Sequence, residues 1–142
     1  MKQICFFLLF IYPITVFSQT RTYLSERTAK APYIDGQLTD DCWLNASWTG
    51  YFVQYEPNSG DAPSQPTLFA VAYDDNNLYV AIKSLDDEPD KIVRRISRRD
   101  VADGDWVSVS IDSYEDKITA FVFQVSASGS KGDILKTEAG GE

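Results

Sequence analysis

The chemistry open to this chain lies in carboxylates and aromatic rings. Histidine is absent from its 142 residues. That removes the commonest general base, the usual activator of a serine nucleophile and the commonest transition-metal ligand. Acids are abundant and fall in two groups. Asp86, Asp87, Glu88 and Asp90 form one; Asp100, Asp103, Asp105, Asp112 and Asp116 form a second, broader one. Calcium takes six to eight oxygen ligands and favours such groups. Asp86, Asp87, Asp103, Asp105 and Asp112 are the candidate metal ligands, although no run has the spacing of a helix–loop–helix calcium loop. Turn chemistry and solvated charge are the plainer reading of the same acids. Among the aromatics, Trp43 sits between Cys42 and Leu44, close to Leu38, and reads as a core anchor. Trp106 differs. Strand alternation places it with Ser108, Ser110 and Asp112, opposite Val107, Val109 and Ile111.

The elements that hold these residues are short strands. Thr67 to Tyr73 is the clearest, with Thr67, Phe69, Val71 and Tyr73 on one face and Leu68, Ala70 and Ala72 on the other. Neither face is strongly polar, which predicts a central strand. Asp74-Asp75-Asn76-Asn77 predicts a hairpin turn and Leu78 to Ser84 the returning strand. Trp106 to Asp112 and Ile118 to Val125 follow the same pattern. Further strands are expected near Lys30 to Ile34 and at Tyr51 to Tyr55. Asp35-Gly36 is a turn signal, and a short helical turn is expected around Trp43-Leu44, with Thr39 or Asp40 as its N-cap. Lys91 to Arg99 mixes Ile92, Val93 and Ile96 with four arginines and reads as an irregular or edge segment. Glu56 to Pro66 and Ser126 to Gly132 read as loops. Short strands at regular spacing, joined by Asp, Asn and Gly turns, predict an all-β antiparallel sandwich.

Length sets one domain, and 44% hydrophobic with 13% aromatic residues suits a packed core. The net charge of −8 argues against nucleic acid and against an anionic membrane surface as partners. Residues 1–18 read as a signal peptide: a basic start at Lys2, an apolar run from Ile4 to Phe17, and Ser18 before the expected mature start at Gln19. The run is shorter than the ~20 residues that span a bilayer, and Pro13 interrupts it. Residues 19–29 read as a polar, flexible lead-in and 30–142 as the sandwich. Losing the leader removes Cys5 and leaves Cys42, which reads as a small buried hydrophobe.

One ordered set of residues resembles a known family. Ile34-Asp35-Gly36-x-Leu38 leads to Trp43-x-x-Ala46, then Tyr73-Asp74-Asp75-x-x-Leu78-Tyr79-Val80, Asp86-x-x-Pro89, Arg99-Asp100, Gly104-Asp105-Trp106-Val107, Ile111-Asp112, Phe121-x-Phe123, and Gly129 to Asp133. The set is similar to the family-9 carbohydrate-binding modules, and more closely to the family-9-like domain at the N-terminus of large secreted or envelope proteins of Gram-negative bacteria. The resemblance covers about Ala31 to Asp133. It implies a jelly-roll sandwich, calcium as a structural ion, and sugars recognised by aromatic side chains. It further implies a domain extending past Glu142, so the sandwich is expected to be incomplete at its C-terminus and followed by a downstream domain of the same polypeptide.

Sugars stack their C–H faces on aromatic rings, while acids and amides hold their hydroxyls. Trp106, Trp48 and Tyr55 are the candidate ligand-binding residues, with Trp43 and Tyr51 weighed beside them. The expectation is a non-catalytic carbohydrate-binding domain, exported to the periplasm, the outer membrane or the medium. Two alternatives stand beside it: a structural or interaction sandwich without sugar binding, and part of a glycoside hydrolase. The last needs two facing carboxylates about 5–10 Å apart, and no pair in the sequence stands out.

Overall fold

The computed structural model describes residues 21–101 and 103–137. The expected signal peptide lies outside the described residues. Among the described residues the chain is all-β apart from a short α-helical turn and a 3-10 turn at Pro89–Lys91, and its strands form two three-stranded sheets. The first sheet contains β1 (Glu26–Arg27), β2 (Thr67–Tyr73) and β3 (Leu78–Ser84), in that order. The second contains β4 (Trp106–Ile111), β5 (Ala120–Ser126) and β6 (Lys131–Lys136), also in order.

β2 and β3 pair antiparallel from Thr67 opposite Ser84 to Tyr73 opposite Leu78. Their turn is built by Asp74, whose Oδ1 accepts the amides of Asn76 and Asn77, both at 2.7 Å. β2 is the central strand, as its two-sided apolar pattern predicts. Its other neighbour is a departure from expectation. β1 pairs parallel, over Glu26 and Arg27 only, and therefore lies within the stretch read as a lead-in. Thr28 continues the ladder by donating to Tyr73 O at 2.8 Å, and then its hydroxyl donates to Lys30 O at 2.7 Å. That local bond pulls the chain off the sheet, so no strand forms at Lys30 to Ile34.

The expected strand at Tyr51 to Tyr55 is absent too. Its backbone bonds are local: Phe52 N–H reaches Gly50 O, and Gln54 N–H reaches Asp61 O in the following loop. Just before it, Thr49 forms a single backbone bridge to Phe69 of β2. Phe52 instead supplies a ring that meets Phe69 edge-on, beside the Tyr23–Phe69 contact at 5.2 Å.

One outer face of the first sheet carries the core. Helical turn α1 (Asp41–Leu44), with Asp40 at the N-cap, lowers Trp43 onto Ala70 and Ala72 of β2 and Ala81 of β3. Trp43 is 4% exposed. Alternating small residues leave a flat floor for the indole, and Leu38, Cys42, Ala46, Trp48 and Tyr79 close around it. Burial raises the pKa of the Cys42 thiol, with Asp40 adding to the effect, as suits a small packed side chain.

An apolar groove of about 590 Å³ runs between β3 and the second sheet, and Leu38, Trp43 and Ala81 of the core also line it. Leu78, Val80 and Ile82 line one wall; Val107, Val109, Ile111, Phe123 and Val125 line the other. A second hollow of about 380 Å³ contains Thr67 and Ile82 from one sheet and Trp106, Val107 and Val125 from the other, with Asp86 and Asp105 on its lining. Several inner-face side chains stay open to solvent, Phe123 at 52% among them.

Candidate functional site

The outer face of the second sheet follows from register. β4 pairs β5 so that Trp106 opposes Ser126, Ser108 opposes Gln124 and Ser110 opposes Val122. Paired residues of antiparallel strands share a face. Trp106 thus heads a face of serines with Gln124, while Val107, Val109 and Ile111 turn toward the groove. The indole is 47% exposed. Beside it is a shallow depression of about 10 Å³, lined also by Val101, Gln124, Ser126, Ser130, Lys131 and Gly132. The hollow is too small to enclose a ligand, so a ligand here would lie across the surface.

The stretch from Val93 to Val101 frames this end of the sheet without forming a strand. Val93 N–H donates to Asp105 Oδ2 at 2.9 Å, and Asp105 N–H donates to Val93 O at 3.1 Å. Ser128 Oγ donates to Arg95 O at 2.7 Å, and Ser97 N–H donates to Ser130 Oγ at 3.2 Å. Asp100 N–H then reaches Lys131 O, and Asp100 Oδ1 accepts from Asp133 N–H, both at 3.1 Å. The stretch therefore wraps the tip of the β5–β6 hairpin. Gly104 makes the first of these contacts possible. Its φ is +84°, and a Cβ there would collide with the Val93 carbonyl.

The three expected ligand-binding residues lie apart. Trp48 packs on the core face of the first sheet, where its Nε1–H donates to Trp43 O at 3.0 Å. The Lys83 ammonium stands 4.7 Å from its ring centroid. Trp48 and Trp106 thus belong with different sheets and line no hollow in common. Tyr55 is 83% exposed, in the irregular stretch before the Glu56 to Pro66 loop.

The five candidate metal ligands do not converge. Asp105 and Asp112 flank β4 at opposite ends, about 20 Å apart at the usual rise per residue. Asp86 Oδ1 accepts Glu88 N–H, Asp103 pairs with Arg95, and Asp112 accepts the amides of Asp116 and Lys117. Asp87 adds no shared site: among the described residues, no three acidic or cysteine side chains gather as a metal-binding group. Two carboxyls have displaced pKa values, both downward. Asp74 falls to about 2, chiefly because the Tyr79 hydroxyl donates to it at 2.6 Å, and Asp116 is lowered by the amides of Thr119 and Ile118. A general acid at a glycosidic bond needs the opposite shift.

Val101, Gln124 and Gly132 went unread as neighbours of Trp106. Alternation along β5 was available to put Gln124 on the face opposite Phe123, but only the strand register puts it beside Trp106. No protein-family model, curated protein or solved structure matches the chain. Among the described residues, no helix is long and apolar enough to cross a membrane.

Proposed function

We propose that this chain is a non-catalytic carbohydrate-binding domain on a jelly-roll-like β-sandwich, exported as part of a larger polypeptide whose downstream domain it serves. One observation carries the proposal: Trp106 is half exposed on a strand face it shares with the exposed Ser108 hydroxyl and the Gln124 amide. A flat apolar ring beside amide and hydroxyl groups suits the C–H face and the hydroxyls of a sugar. The facing apolar walls support a sandwich, and the leader-like residues 1–18 support export.

The test is a glycan array followed by calorimetry, run with calcium and with chelator. Wild type binds at least one glycan, Trp106→Ala binds at least tenfold more weakly, and Trp48→Ala that still folds retains binding. Failure of every glycan under both ion conditions overturns the proposal.

A second reading, an interaction sandwich without sugar binding, draws on the open groove, where Leu78, Phe123 and Val125 remain exposed. It predicts that substitutions in the groove change association with a protein partner while Trp106→Ala changes nothing.

A further inference from the structure

We infer that the glycan taken at Trp106 is anionic, its carboxylate or sulfate groups held by Arg94 and Arg98; the inference rests on the carbohydrate reading above. The chain carries a net charge of −8, yet five of its thirteen lysines and arginines fall between Lys91 and Arg99. Their partners divide them. Lys91 pairs with Glu88 at 2.7 Å, Arg95 with Asp103 at 3.3 Å, and Arg99 with Asp133 and Asp100. Asp105, the remaining nearby acid, accepts the Val93 amide. Arg94 and Arg98 are exposed and have no acidic partner among the described residues. Ile96, between them, is 93% exposed. A segment that merely guarded an edge would not need its neighbouring acids spent on the other two arginines.

Position ties these two cations to the indole. Arg94 follows Val93, which is bonded to Asp105, the residue before Trp106. Arg98 O accepts from Val101 N–H at 3.2 Å, closing a four-residue turn with Asp100 at φ 66°. In such a turn the end residues are neighbours, and Val101 lines the depression beside Trp106. The backbone thus sets Arg94 and Arg98 within a few residues of the indole's surroundings, and Lys131 lines the depression itself, so positive charge gathers at this end of the sheet. Guanidinium suits carboxylate and sulfate oxygens, which it can hold with paired N–H donors.

The test is calorimetry of the full chain against polygalacturonate, a sulfated galactan and a neutral galactan, at low and high salt. The inference expects an anionic polymer to bind at least roughly tenfold more tightly than the neutral one, with that advantage lost at high salt. Arg94→Gln/Arg98→Gln, on exposed side chains, should remove the same advantage and leave the fold intact by circular dichroism. Trp106→Tyr, which keeps a ring, should retain binding that Trp106→Ala loses. A preference for polygalacturonate identifies carboxylate as the bound group, and a preference for the sulfated galactan identifies sulfate. If neutral glycan binds equally well and the double variant changes nothing, this inference fails while the carbohydrate reading stands. If Trp106→Ala leaves anionic binding unchanged, the inference fails as a site at Trp106. If no glycan binds, both fail.

Discussion

Trp43 and Trp106 each lie against a three-stranded sheet, and they have opposite fates. Around Trp43 the sheet offers Ala70, Ala72 and Ala81, and a helical turn lowers the ring onto them. Around Trp106 the sheet offers Ser108, Ser110 and Gln124, with Val101 and the tip of the β5–β6 hairpin beside it, and the ring also lines the hollow holding Thr67 and Ile82. The neighbours decide the outcome. Alanines give an apolar floor with no hydrogen-bonding demand, so burying an indole there costs nothing in lost hydration of polar groups. Serines and a glutamine need partners or water, so the ring above them stays half open. One face thus stabilises the fold, and the other can take a ligand at little cost to it.

Removing the buried ring should have the largest effect. Trp43→Ala is expected to cost about 3–5 kcal/mol, the range for truncating a buried aromatic side chain. Against a typical domain stability of about 5–15 kcal/mol, that is enough to unfold a marginal chain. Urea denaturation followed by tryptophan fluorescence measures it. A loss below about 1 kcal/mol would mean that Trp43 is not the core anchor.

The floor beneath Trp43 is tested from the other side by Ala70→Leu. Ala70 is buried under the indole, and extra methyl groups there have nowhere to go. Overpacking of this kind typically costs about 1–3 kcal/mol. The urea midpoint should fall with an unchanged slope, whereas the same substitution at exposed Ser110 should leave it close to wild type.

Sequence revealed much of this scaffold and little of the site. The β2–β3 hairpin is legible to the residue, because alternation, an Asp-Asn turn and a returning apolar strand agree with one another. Trp43 as an anchor follows from its apolar neighbours. β1 is illegible, since Glu26 and Arg27 carry no apolar pattern; the Tyr23 hydroxyl bonding Val71 N–H at 3.1 Å helps hold that edge from 48 residues away. Tyr51 to Tyr55 has a strand's composition, but Phe52 N–H bonds back to Gly50 O and Gln54 N–H bonds Asp61 O in the following loop, not a neighbouring strand. The acids serve as turn and amide acceptors, and β4 carries Asp105 and Asp112 at its two ends, while Asp86 and Asp105 line one hollow, a juxtaposition that sequence spacing does not show.

Trp106→Ala should cost the fold about 1 kcal/mol, well below Trp43→Ala, since a half-exposed ring loses only part of its burial and leaves no closed cavity. Its consequence should lie in binding. A variant that unfolds as readily as Trp43→Ala would place Trp106 in the core and remove the contrast between the two faces.

The smallest effect concerns the two hairpin turns, one in each sheet, both held by aspartates that accept backbone amides. Asp74 has a pKa of about 2 in the folded chain, below its ordinary 3.8, with the Tyr79 hydroxyl as the main cause. A depressed carboxyl contributes stability that is present above its unfolded value and lost as pH falls through the folded one. The β2–β3 turn should therefore hold down to about pH 4 and loosen between there and about pH 2. Asp116 is lowered as well, but by the amides of Thr119 and Ile118, with no phenol as partner. Tyr79→Phe should consequently raise the midpoint at which the Asn76 and Asn77 amide signals titrate by NMR, while the Ile118 and Thr119 signals keep theirs. A wild-type midpoint near 3.8 at Asn76, or equal movement at both turns in Tyr79→Phe, would show that the Tyr79 hydroxyl does not set the first turn apart from the second.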